Sequence, residues 1–486
     1  MLAPEAERTG QGRPQWFRPV LVVIVLGGAA ARLAFVSRVT IPPLYYNDSN
    51  FFRTTGQNLA NGLGYVDTGS PYPHQLVPTA SHPPLFPGLL SVFDLLGLQS
   101  ITAQRLALAV VTSIAILVMG LLGRRVAGPL VGTVAAAIAA FNPVWIQPVG
   151  ALMSESIYLV VIPLLLLQAL RCLEKPTIGR YAVMGIVIGC AVLIRSDAIV
   201  FAVFLGVPLL FLIRSSWQNR GLLGVALLAG LILVLAPWLI RNEIQIGGAV
   251  LSDQEGHTLA SSYCPYTFNS ADPSYGSFKG ICVISDGAFH LLEKPPAAAR
   301  QWTELTLDRA LTHDSEQFAL HHLSSLPRVI VAREAATWGL GNRSYQLGVA
   351  VAEGRNEAYE QASWIVYWLM VPFVVIGCVV LARRSWRPLI VLVAPLAVVA
   401  VNAAIFYGST RLRSAAEPSL AVLAATGGIA ATNRMMLVLR GPSPGLSHDK
   451  TQRPDQENAP HPSAIEGFDG GPTRLLETVG EDLPDP

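Results

Sequence analysis

Apolar residues along this chain gather in long unbroken runs separated by short basic turns, not in the alternating or amphipathic patterns of soluble elements. Runs of roughly 17–25 residues match the thickness of a hydrocarbon core. About ten occur, at 17–37, 101–122, 127–145, 152–171, 179–195, 197–213, 221–240, 363–382, 388–407 and 414–434. The pattern predicts an all-α integral membrane protein. Segment 84–98 is apolar but short, rich in proline and interrupted by Asp94, so it is read as a helix lying at the outer interface. With the N-terminus cytoplasmic, Arg124/Arg125, Arg171/Lys175/Arg180, Arg214/Arg220, Arg383/Arg384/Arg387 and Arg434/Arg440 share one side, as the positive-inside rule requires. Both termini are then cytoplasmic, and the loop after the first span lies outside.

Composition supports the same class: 52% of the 486 residues are hydrophobic and 14% charged, with a mean hydropathy of +0.46. A formal net charge of +2, with no concentrated basic patch, gives no sign of nucleic acid. The first span reads as a retained signal anchor, with a cleaved signal peptide as the other reading. Arg32 near its outer end is expected to snorkel to the headgroups, lipid-phosphate contact staying open.

The spans delimit a cytoplasmic N-terminus (1–16), a transmembrane module (17–241) containing the first outer loop (38–100), an outer insert (242–362), C-terminal helices (363–440) and a tail (441–486). The tail is rich in Pro, Gly, Ser, Asp and Glu and is expected to be a disordered cytoplasmic extension. In the insert, 247–285 reads as turn-rich and 296–324 as helical. Cys172, Cys190 and Cys378 fall in or beside spans and read as small buried hydrophobes. Cys264 and Cys282 share the oxidising side, lie close in sequence and have no histidine pattern suggesting zinc. They are expected to form a disulfide.

Candidate chemistry concentrates in LYYNDSNFFRTTGQNLANGLG, just after the first span, where Asp48 stands among Tyr46, Asn47 and Arg53. A carboxylate just outside a bilayer suits a substrate whose other half is dissolved in lipid. Asp48 is the first catalytic candidate, against the reading that it caps a helix beginning near Asn50. Arg411 and Arg413 begin the last span, and arginine is favoured for phosphate by its planar, permanently charged fork. Membrane anchoring is the plainer reading. Glu417 sits one turn on, placed to orient Arg413 at i,i+4. Glu155 and the Arg195/Asp197 pair map to outer span ends, where charged groups mark pathways. They rank below Asp48 as substrate or phosphate ligands. Arg333 and Trp338 either line the cavity or belong to a helix resting on headgroups.

Taken in order, YYNDSNFFRTTGQNLANGLGY, SHPPLFPGLL, AQRLALAVVTS with GRRVAG, FNPVWIQ with LMSESIY, LIRSDA, GHTLASSYC with GIC, and YGSTRLRSAAEPSLAVLAA run from about residue 17 to 434. The chain resembles the GT-C class of integral-membrane glycosyltransferases. It is most similar to actinobacterial polyprenyl-phosphate-dependent transferases related to protein O-mannosyltransferases and lipid A aminoarabinose transferases. The resemblance implies a GT-C-type helical bundle with outer juxtamembrane helices and a mixed, mostly helical outer insert. It gives Asp48 the task of binding or deprotonating the acceptor. His82 stands where relatives carry a Lys before Pro and is assigned to the donor phosphate, an interfacial turn being the alternative. Many relatives have paired acids where this chain has Asp48-Ser49, which weakens any divalent-metal role and leaves the cofactor open.

The implied activity is inverting transfer of one hexosyl or pentosyl group from a polyprenyl-phosphate carrier to an extracytoplasmic glycan, lipid or protein. No cytoplasmic loop is large enough for a nucleotide-sugar domain, and neither a Walker motif nor a dinucleotide site occurs. A flippase for lipid-linked saccharide and a non-catalytic glycan-binding protein are the competing classes.

Overall fold

The hydrophobic runs form helices that bury one another's polar breaks. The computed structural model describes residues 15–39, 48–67, 76–280, 282 and 303–439. The chain divides into a large unit, Met1–Met436, and a short one, Leu437–Pro486; the membrane-length helices, apart from the end of the last, belong to the large one. Eight helices are long and apolar enough to cross a bilayer: Phe17–Arg38, Ile101–Ala127, Pro129–Gly150, Glu155–Glu174, Trp217–Ile246, Glu357–Arg384, Trp386–Ile405 and Glu417–Leu439. Leu85–Leu95 is a shorter apolar helix, where an interfacial one was expected. Among the described residues the β-structure is one antiparallel pairing of Val66–Asp67 with Val77–Pro78. The expectations for 1–14, for Tyr46 and Asn47, and for the tail lie outside the described residues.

Two of the ten expected spans come out shorter than membrane length. Runs 179–195 and 197–213 are shorter helices, Ile178–Val192 and Ser196–Leu212, because the chain turns extended at Arg195 (φ −147°, ψ 119°). Hydrophobicity continues across that point, but the Arg195/Asp197 pair interrupts the helix. Broken backbone at membrane depth is tolerated where it lines a polar cavity, and Ile194, Arg195, Ser196 and Asp197 do line one.

Arg32 also departs from expectation. It is 1% exposed, and its guanidinium donates to the carbonyls of Ala139 (2.8 Å), Ala140 (3.3 Å) and Gly28 (3.1 Å). The cause lies across the bundle, at Pro143. Proline has no N–H, so the Ala139 carbonyl loses its i→i+4 donor. Val144 N–H bonds the Asn142 side chain instead, at 3.2 Å. Arg32 supplies both missing donors from the neighbouring helix, so the charge turns inward toward a helix break.

Close helix crossing relies on glycine at one seam. A Cβ at Gly185 would fall 1.9 Å from the Leu227 carbonyl oxygen, and one at Gly230 would fall 2.1 Å from that of Ala182. These two small residues let Ile178–Val192 and Trp217–Ile246 pack backbone to backbone.

In the insert, residues 247–280 are mostly turns after the short helix Glu255–Ala260, followed from 303 by Glu304–His321, Leu326–Thr337 and Arg343–Ala352. The structure joins Cys264 to Cys282, Cα atoms 6.1 Å apart. Arg333 is fully buried and donates to Ser262 O (2.9 Å), Tyr263 Oη (3.0 Å), Ala404 O (2.8 Å) and Ile405 O (3.1 Å). It therefore ties the insert to the end of Trp386–Ile405 and rests neither on headgroups nor in the cavity. Trp338 donates its indole N–H to Glu334, at 2.9 Å.

Replacing Arg32 tests the helix-break account. Arg32→Met keeps the volume but leaves buried carbonyls without donors, and hydrogen bonds to charged groups are worth about 1.5–3 kcal/mol each. Thermal unfolding in detergent is expected to show a loss of about 2–4 kcal/mol; a change within about 0.5 kcal/mol contradicts the account.

Candidate functional site

A cavity of about 1360 Å³ opens among the spans and the insert, and Asp48, His82, Arg195, Asp197, Glu353 and Arg411 all line it. Asp48 begins the helix Asp48–Ala60. One of its oxygens accepts from Arg411 Nη2 at 2.7 Å; the other lies 3.7 Å from His82 Nε2. With 33% of its side chain exposed, a ligand in the cavity can reach it. His82 is held between the Phe51 and Phe52 rings, centroids 5.0 and 4.9 Å away. The Tyr65 hydroxyl donates to the His82 carbonyl at 2.7 Å, fixing the turn before Pro83.

Arg411 holds the centre. Its Nε donates to Glu155, its Nη1 to Glu353 at 3.1 Å and its Nη2 to Asp48. Three carboxylates from distant parts of the chain thus share one guanidinium. Glu155, 1% exposed, also accepts from Arg195 Nη1 at 3.2 Å, while Arg195 grips Asp197 through Nε (3.3 Å) and Nη2 (3.2 Å). Behind them, Arg355 lies 3.5 Å from Glu360 and 3.9 Å from both Glu353 and Glu155. Gln147 donates to Glu360 at 2.5 Å. Asp48, Glu155, Asp197, Glu353 and Glu360 outnumber the three arginines, so the network keeps acidic character.

Burial alone would raise Asp48, yet the Arg411 charge and then His82 pull its carboxyl well below the ordinary range. Burial also dominates at Glu353, which stays raised although Arg411 and Arg355 oppose it. Burial works against the charge of Arg411, but Glu155, Glu353 and Asp48 together hold it far above the usual arginine value.

Two expected ligands sit elsewhere. Arg413, 1% exposed, donates Nε to Glu417 Oε1 at 2.7 Å and lies 3.8 Å over the Tyr367 ring. It does not line the cavity, because the short 3-10 helix Leu412–Ala415 turns it into the bundle. Glu417 thus orients Arg413, but away from any phosphate in the cavity. Arg53 is also outside the lining; it donates to the Gln99 carbonyl at 3.2 Å, on a different face of the helix from Asp48.

Sequence reasoning passed over Glu353, Arg355 and Glu360, whose signal was the density of charge in AEGRNEAYE just before an apolar span. It also missed an acidic group on the insert side of the cavity: Asp67, Asp253, Glu255, Glu304 and Asp308. Among the described residues no three His, Cys, Asp or Glu side chains form a group able to hold a metal ion.

Residues 81–240 match the sequence model of the dolichyl-phosphate-mannose-protein mannosyltransferase family. The archaeal oligosaccharyltransferase AglB from Archaeoglobus fulgidus, solved with an inhibitory peptide and a dolichol-phosphate, superposes with a TM-score of 0.50 at 16% identity. That alignment covers 89% of this chain and 53% of the other. The apo form of the A. fulgidus enzyme gives 0.52 at 16% identity, over 88% and 52%. The chain has a GT-C-type fold. No curated protein matches it by sequence. This GT-C chain spans about half the length of those solved structures. The stretch carrying the mannosyltransferase pattern contains His82, Glu155, Arg195 and Asp197; Asp48 and Arg411, which complete the GT-C cavity, lie outside it.

Breaking the centre should destabilise the protein in a pH-dependent way. Arg411→Met leaves Asp48, Glu155 and Glu353 without their shared cation, and breaking a buried pair costs about 3–5 kcal/mol. Asp48 is depressed in the folded state, so its contribution is present above the ordinary carboxyl value near 4 and is lost as pH falls below it. The stability gap between wild type and Arg411→Met should therefore be widest near pH 7 and narrow below about pH 4. Chemical-denaturant unfolding in detergent across this range checks it; a gap independent of pH contradicts the linkage.

Proposed function

We propose that this protein transfers a single sugar from a polyprenyl-phosphate carrier to an acceptor on the extracytoplasmic face of the membrane, with inversion at the anomeric carbon. The observation that carries the reading is Asp48: an accessible carboxylate at the wall of a cavity between the spans and the insert, bonded to an arginine suited to phosphate. The mannosyltransferase pattern over 81–240 and the GT-C fold support a lipid-phosphate donor. The dolichol-phosphate bound to A. fulgidus AglB is consistent with that chemistry.

In the proposed reaction the acceptor hydroxyl oxygen attacks the anomeric carbon while the bond from that carbon to the phosphate oxygen breaks. The bonding pair leaves with the phosphate, whose charge grows from −1 to −2. Arg411 meets that growing charge, with Arg195 beside it. The acceptor proton passes to Asp48.

The resting geometry makes this sequence conditional. While Arg411 holds Asp48, the carboxylate has little affinity for a proton, and a general base works best when its pKa lies nearer the working pH. An arriving phosphate competes for Arg411 Nη2, and Asp48 gains proton affinity as it loses that partner. His82, 3.7 Å away, keeps the carboxylate oriented. Donor binding thus prepares the base. Glu155 and Glu353 hold the rest of the Arg411 guanidinium, so the arginine pivots without being released. Arg413 and Arg53 have no part in this step.

Asp48→Asn retains shape and helix-capping ability but cannot take the proton. It should fold and insert normally yet lose about 10²–10⁴-fold in transfer from radiolabelled polyprenyl-phosphate sugar. Wild-type turnover by the folded variant removes Asp48 from the reaction. Arg411→Lys should raise the donor KM, lower turnover, or both, whereas Arg413→Lys should leave donor KM unchanged.

The proposed orientation has its own test. A membrane-impermeant maleimide applied to intact cells should label Glu316→Cys in the insert and spare Lys450→Cys in the tail; the reverse pattern overturns it.

A further inference from the structure

On the insert side of the cavity, away from Arg411, lie carboxylates that form no ion pair among the described residues. Asp253 is 6% exposed, and its carboxyl and that of Glu304 hydrogen-bond each other; among the described residues no cationic side chain bonds Asp253 Oδ1 or Oδ2, or Glu304 Oε2. Both residues line the cavity. Their backbone is secured: Asp253 N–H donates to Ala80 O at 3.1 Å, and Ser252 Oγ to Ser81 O at 2.7 Å. Glu304 opens the helix Glu304–His321, whose N-cap is Thr303.

The surrounding charges deepen the deficit. Asp67 acts on Glu304, while Asp253 and Glu255 act on Asp308. Asp308 spends Oδ1 on the N–H of Gly256, at 2.6 Å. Arg241, whose charge reaches the pair, commits its guanidinium to Thr79 O and Tyr65 O (both 2.6 Å) and to Asn242 Oδ1 (2.8 Å). His82 is the other neighbour of positive character, and it lies against Asp48. His257, on the adjoining short helix, is disfavoured as a cation by burial.

Buried carboxylates are ordinarily paired with a cation or coordinate a metal, and these residues make no metal-holding group. We propose that Asp253 and Glu304 form a binding subsite for an ammonium group on a ligand entering the cavity. Five acidic side chains, Asp67, Asp253, Glu255, Glu304 and Asp308, line this side of the cavity, which matches a donor-only cation; a neutral diol fits less well, since it leaves the charge deficit in place. In the empty site, burial and then Asp253 push Glu304 up to about 8, and burial also raises Asp253. Near neutral pH the pair therefore retains a proton. An arriving ammonium takes its place, and the proton leaves to solvent. The subsite stands whether or not the cavity transfers sugar.

The test uses the full chain in phosphatidylcholine nanodiscs, with ethanolamine and ethylene glycol as probes of matched size. At pH 7 ethanolamine should remove the infrared C=O band of a protonated carboxyl, and its affinity should rise about tenfold per pH unit between pH 6 and 8. Ethylene glycol should do neither. Glu304→Gln and Asp253→Asn should each abolish the band change and weaken ethanolamine at least tenfold, whereas Asp48→Asn should leave binding intact. That last variant separates this site from the transfer reaction. An equal response to both probes overturns the proposal, as does undiminished ethanolamine binding by correctly folded Glu304→Gln. In the transfer assay, ethanolamine inhibition competitive with donor places the ammonium on the sugar; inhibition competitive with acceptor places it there.

Discussion

One guanidinium organises the cavity. Arg411 reaches Asp48 at the start of the helix Asp48–Ala60, Glu155 at the mouth of a span and Glu353 at the end of the insert. Without it, three acids would face a space of low dielectric and repel one another, and their helices would have no shared anchor. Ion clusters of this kind add little net stability over apolar packing, yet removing one member leaves costly unpaired charges. Their value lies in fixing geometry. Here the geometry fixed is that of a carboxylate at a cavity wall.

The same argument explains why two arginines separated by one residue serve different ends. Arg411 faces the cavity; Arg413 turns into the bundle and is neutralised by Glu417 over the Tyr367 ring. Arg32 and Arg333 repeat the pattern, each buried and spent on carbonyl oxygens at helix ends. In a membrane bundle, a buried arginine satisfies backbone that water cannot reach. Among these side chains only Arg411 both faces the cavity and is bonded to carboxylates, partners that an incoming anion can displace electrostatically.

Much of the fold was legible in the sequence because crossing a bilayer needs only length and hydrophobicity, and both are local. The two spans that proved shorter show the limit: hydropathy averages through Arg195 and Asp197, whereas the backbone turns there. For the candidate site, the sequence pointed to Asp48, His82, Glu155, Arg195, Asp197 and Arg411, and the structure brings all six to one network. Arg413 and Arg53 were misplaced because residue type does not reveal which way a short 3-10 turn or a helix face points. Glu353 and Arg355 were passed over since their partners lie far away in sequence, and Asp253 with Glu304 because neither sits in a distinctive motif. Pairing over such distances is a property of the folded chain, and no local pattern announces it.

The distance in sequence between Asp48 and Arg411 bears on how the protein is made. A chain emerging from the ribosome folds from its N-terminal end, so Asp48 and Glu155 reach the membrane while Arg411 is still hundreds of residues from synthesis. Until the loop after Trp386–Ile405 arrives, these acids lack their central partner. The cavity consequently locks late, and a ribosome that stops before Arg411 releases a protein whose cavity acids lack their central cation.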